Sequence, residues 1–102
     1  MAIKSKTMLL IKPDGSETEV EIPNETQAFL ETMYRLIGNG CHTVQVIGLG
    51  HGRLMWMDEN AKLSPTPEPV NPRATRMIEE AGGIPGNYIL GNVLIQTRRQ
   101  RR

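Results

Sequence analysis

A single cysteine, Cys41, is all that this 102-residue sequence offers for covalent cross-linking. No intrachain disulfide can form, which excludes the small extracellular scaffolds held by several bridges and fits a reducing compartment. Long apolar runs are missing as well. Met8 to Ile11 follows Lys4 and Lys6 but is far too short for a signal-peptide core or a membrane span. Without secretion, the triplet Asn24-Glu25-Thr26 has no consequence as a glycosylation site. Charge of one sign is lacking too: 12 Lys/Arg oppose 11 Asp/Glu, a formal net charge of +1, so the chain has no general attraction for nucleic acid. The imbalance is local, because Arg98, Arg99, Arg101 and Arg102 crowd the last residues into a basic, flexible tail. Such a tail can screen phosphates in a salt-dependent way. Aromatic residues make up only 4 % of the chain and none interleaves with these arginines, so specific nucleic-acid recognition is not expected.

What is present suffices for one hydrophobic core, and residues 1–97 read as a single α+β domain. Thr7 to Lys12 is a compact apolar run ended by the turn Pro13-Asp14-Gly15-Ser16, and Glu17 to Ile22 alternates with Val20 and Ile22 on one face. Together they predict a hairpin. Asn24 is placed to cap a helix with Gln27 as its capping-box partner, and Phe29, Leu30, Met33, Leu36 and Ile37 form the apolar stripe. Gly38-Asn39-Gly40 ends it. A strand is expected over 42–47, a glycine-spaced turn over 48–52, and a strand buried on both faces over Arg53 to Asp58. Pro65, Pro67, Pro69 and Pro72 make the following connection extended. Asn71 then caps a second helix with Pro72 in its first turn, Met77, Ile78 and Ala81 facing inward and Gly82-Gly83 ending it. A last strand is expected over Tyr88 to Thr97, with Gly91 marking a bulge or a close backbone approach. The order ββ-α-ββ-α-β implies one five-stranded mixed or antiparallel sheet covered by two helices.

The second helix carries its charges in reverse. A helix start presents unpaired N–H groups and partial positive charge, which favour carboxylates there and cations at the far end. Here Arg73 and Arg76 stand at the beginning and Glu79 and Glu80 at the end. Two arrangements relieve the conflict. An anion can sit at Asn71 to Thr75, held by backbone N–H groups, the Thr75 hydroxyl and two guanidinium groups. Alternatively, Arg76 pairs with Glu79 and Glu80 along the helix while Arg73 meets an acidic neighbour such as Glu59.

Other constellations carry less. Cys41, His42 and His51 match no metal-ligand spacing, so no metal is expected. Gly48, Gly50 and Gly52 do not make a dinucleotide loop, because the next glycine of that pattern would fall at Arg53 and a strand rather than a helix follows. Trp56 either fills the core or, if Met55 and Met57 face inward, points outward beside Arg53 as a small aromatic and cationic surface. No nucleophile-base pair, carboxylate pair or cofactor motif is visible, so catalysis is not expected and no cofactor is implied.

Several segments together carry a family likeness. They are the Lys12-Pro13-Asp14-Gly15 turn, the polar Asp58-Glu59-Asn60 turn, Asn71-Pro72-Arg73-Ala74-Thr75, and Gly91-Asn92-Val93-Leu94-Ile95. In these the chain resembles domain-of-unknown-function family 3846, found in bacteriophages and mobile elements, over nearly its whole length. The resemblance implies a viral or mobile-element origin and a host cytoplasm, not a reaction. Small phage proteins of this size often act on host defence, some by sequestering nucleotide signals. The expectation is therefore a non-enzymatic binding protein with an anionic or nucleotide ligand at Asn71, Arg73, Thr75 and Arg76, assisted by Arg53, Trp56 or Glu59. The alternatives are an interaction module for a host or phage protein, with homo-oligomers among its forms, and nucleic-acid binding through the tail.

Overall fold

In the computed structural model, which describes residues 5–97, the strands β1 (Ser5–Ile11), β2 (Glu17–Pro23), β3 (Val44–Gly50), β4 (Arg53–Asp58) and β5 (Val93–Thr97) form one sheet in the order β2-β1-β5-β4-β3. Every neighbouring pair is antiparallel. Helix α1 (Thr26–Ile37) links β2 to β3, and α2 (Pro72–Glu80) links β4 to β5. The two helices lie on opposite faces. Met8, Leu10, Ile22 and Leu94 pack with Met33 and Ile37 of α1, whereas Ile11, Met55, Val93 and Ile95 pack with Ala74 and Ile78 of α2. Alternate residues of β1 and β5 thus bury both sides of the sheet, whereas β4, expected to be buried on both faces, buries Met55 and Met57 on the α2 side and leaves Leu54 and Trp56 half-buried on the other.

Local chemistry sets most of the joints. Gly15, at φ +90°, lets the β1–β2 turn close, and the Ser16 amide donates to Asp14 Oδ1 at 2.9 Å. The expected cap of α1 shifts by one residue: Glu25, not Asn24, accepts from the Ala28 amide at 2.9 Å and the Gln27 amide at 3.2 Å. These two donors, the Ala28 amide first, hold the Glu25 carboxyl below its ordinary range.

β3 begins at Val44 rather than residue 42 and continues through Gly50, so the glycine-spaced turn shrinks to His51-Gly52. Both residues take positive φ, the geometry that joins antiparallel strands in two residues. Leu49, expected in the turn, is instead buried beside α2. β5 is also shorter than the expected span from Tyr88 to Thr97. Gly91 turns the chain at φ +78°, and a Cβ there would lie 3.2 Å from the Glu68 Cβ. An isolated bridge, Val70 to Leu90, ties the proline-rich connection to that segment. Ala81 is exposed, because α2 ends at Glu80, and Ala74 occupies the buried position instead. Among the described residues, no helix is long and apolar enough to cross a membrane. The basic tail, Arg98 to Arg102, lies outside the described residues.

Candidate functional site

At the start of α2, Asn71 is completely buried. Its Oδ1 accepts from the Ala74 amide at 3.1 Å, and its Nδ2 donates to the Ile11 carbonyl at 3.1 Å and the Gly91 carbonyl at 2.8 Å. The side chain caps the helix and pins it to β1 and to the turn before β5. Thr75 is engaged as well, since its hydroxyl accepts from the Ile89 amide at 2.9 Å. Pro72 has no N–H, and the Thr75 amide donates to the Asn71 carbonyl. Arg73 is therefore the only first-turn amide of α2 with no assigned partner among the described residues. Apart from the Arg73 amide, the expected cradle of backbone donors and Asn71 is spent on the protein itself, and the Thr75 hydroxyl, which accepts from Ile89, does not line the arginine cleft.

The guanidinium groups are disposed differently. Arg73 forms an ion pair with Glu17 of β2, not with Glu59. Glu17 stands opposite Ile11, so it shares the α2 face with Glu19 and Glu21 in an acidic row beside the helix start. Glu21 is held below its ordinary titration range by the hydroxyls of Ser5 and Thr7. Among the described residues no ion pair joins Arg76 to Glu79 or Glu80. Arg76 lines a cleft of about 510 Å³ that runs along α2, with Arg73, Met77, Glu80, the turn residues Pro13 to Gly15, and Arg53. Asp14 is committed to the Ser16 amide, which lowers its pKa.

Three of the expected ligand residues, Arg53, Arg73 and Arg76, thus meet in one cleft, and four do not. Trp56 lies on the opposite sheet face, edge-on to Phe29 of α1 with ring centres 5.3 Å apart, and its Nε1 donates to Gln96 Oε1 at 3.0 Å. It is only partly exposed and forms no surface with Arg53. Glu59 lines a different recess, of about 170 Å³, with Lys62, Asn87 and Tyr88. In that recess Lys62 Nζ sits 4.2 Å over the Tyr88 ring and donates to Asn87 at 2.7 Å. Asp14, Met77 and Glu80 complete the arginine cleft without having been expected, because they meet only when the β1–β2 turn docks beside α2. Cys41 packs in the α1-side core and its thiol donates to the Thr43 carbonyl. Burial, and then the nearby Asp58 charge, push that thiol up to about 11.

The fold and cleft define an antiparallel α+β protein with helices on both sheet faces and an arginine-lined groove along one helix. The chain belongs to the family described as domain of unknown function (DUF3846), whose pattern matches residues 5–101. A search of curated proteins and a search of solved structures each returned no match.

Proposed function

We propose that this is a non-enzymatic binding protein that holds an anionic ligand, a nucleotide or another phosphate-bearing molecule, in the cleft along α2. The supporting observation is the convergence of Arg53, Arg73 and Arg76, from two separate elements, on one groove. Only Arg73 is paired with a carboxylate among the described residues. Guanidinium groups bind phosphate oxygens through two parallel charge-assisted bonds, a match that a lone helix start does not supply. The Arg73–Glu17 pair is no obstacle, because exposed ion pairs of this kind contribute little and exchange readily. Glu80 and Asp14, which also line the cleft, favour a ligand that carries donors as well, as a nucleotide does. In a phage or mobile element, such a protein would sequester a host nucleotide signal rather than transform it.

Titration with cyclic nucleotides, linear nucleotides and inorganic phosphate while following the melting temperature tests this. A ligand at about 100 times its Kd adds roughly 2.7 kcal/mol of stability, a readily measured shift. The rise should vanish in Arg76→Ala and weaken as salt increases. No shift with any of these anions rejects the proposal.

A further inference from the structure

The two edges of the sheet differ in one property that governs association. A strand edge presents unpaired N–H and C=O groups, and soluble proteins commonly guard it with charge. At one edge, β2 carries Glu17, Glu19 and Glu21. At the other, β3 reads Val44-Gln45-Val46-Ile47-Gly48-Leu49-Gly50, without a single charge or proline. Its only irregularity is a register shift between Gly48 and Gly50, which leaves Val44 to Gly48 regularly paired with β4 on the inner side. Val46, on the face where α1 packs, is 46 % exposed, since the helix sits over the β2 half of the sheet.

We infer that β3 is a pairing edge and that its partner is β3 of a second copy, joined antiparallel about a two-fold axis with Val46 facing Val46. Charge selects this occupant. Pairing β3 with β2 of another copy would run head to tail into a ring or an open fibre, and it would set three carboxylates against a strand with no cation to meet them. Pairing β2 with β2 would set like charges against one another. Only β3 with β3 closes the assembly without an unmatched charge, and it covers the apolar Val46 pair at its centre. The resulting sheet has ten strands. This surface is independent of the arginine cleft, which lies along α2.

Sedimentation or light scattering of the full chain from about 1 to 100 µM, the range spanned by modest Kd values, tests the inference. The expected result is a mass of two chains, reduced to one in Val46→Lys with far-UV circular dichroism unchanged, and retained in Glu19→Lys at the other edge. A single-chain mass throughout, or a dimer indifferent to Val46→Lys, overturns it. Should the lysine variant fail to fold, Val46→Cys under mild oxidation provides a second measurement, with the native chain and its buried Cys41 as control. A covalent dimer supports the pairing, and a monomer on denaturing gels overturns it.

Discussion

Replacing Asn71 by alanine tests how far one buried side chain holds α2 in place. The substitution removes the cap acceptor for the Ala74 amide, a loss of about 1 kcal/mol. It also takes a donor from the Ile11 and Gly91 carbonyls, and each buried acceptor left short of a partner costs about 1 kcal/mol more. The sum is roughly 3 kcal/mol, a large part of the 5–15 kcal/mol typical of a folded domain. Urea denaturation should show a lower midpoint with an unchanged slope, and the melting temperature should fall by about 12–24 °C. Asn71→Asp separates the two roles. It keeps the cap acceptor but turns a carboxylate oxygen toward two carbonyls, so its folded pKa must rise above the unfolded value. A group with a raised pKa contributes stability below the unfolded pKa and loses it as pH increases, so Asn71→Asp should recover toward the native protein on acidification. An Asn71→Ala protein within about 1 kcal/mol of the native chain would refute the reasoning, because the three bonds would then carry no net stability.

Other outcomes can be checked on the same apparatus. Gly91→Ala should cost more than Gly15→Ala: both glycines have positive φ, costing about 1–2 kcal/mol for alanine, but only a Cβ at Gly91 meets a neighbour, Glu68. Cys41 has its thiol pKa raised from 9.0 to about 11, so its contribution is full below the unfolded value and is lost as pH rises through that window. Alkaline denaturation should accordingly be shallower in Cys41→Ala, by at most about 2–3 kcal/mol between those limits. Glu25→Ala should lower helix content at neutral pH. Because the native carboxyl titrates below its ordinary range, the difference between the two proteins should shrink as pH falls through that depressed pKa.

Much of this architecture was legible because its determinants are local. The Pro-Asp-Gly turn, the alternating β2, the apolar centre of β4 and the Asn71-Pro72 helix start each state their conformation within a few residues. The errors arose where two neighbouring residues could do the same work, or where a distant element decided. Asn24 and Glu25 can each cap a helix, and only the backbone geometry at Glu25, φ −65° and ψ 133°, selects between them. The alternation correctly separated Trp56 from Met55 and Met57, but the face opposite α2 is roofed by α1, so Trp56 became part of a second core. Thr75 looked free because its partner, the Ile89 amide, is 14 residues away. Glu17 could not be paired with Arg73 without knowing that β1 lies between β2 and β5, which brings the acidic strand beside the start of α2.

That acidic strand connects the two functional readings. Its α2-side row, Glu17, Glu19 and Glu21, answers one of the two cations that begin α2 against the helix dipole. The other, Arg76, lies one turn further along, in the cleft with Arg53 and without an ion pair among the described residues. The same row makes β2 an edge that repels its own copy, which leaves the uncharged β3 as the edge where strands can add. Reversing Glu19 and Glu21 to lysine would therefore separate the two effects. Guarding of the β2 edge would persist, since three like charges are replaced by a mixed row that still places lysines on an edge strand. The cationic field over the cleft would rise, so a ligand held by Arg53 and Arg76 should bind more tightly and with a steeper dependence on salt.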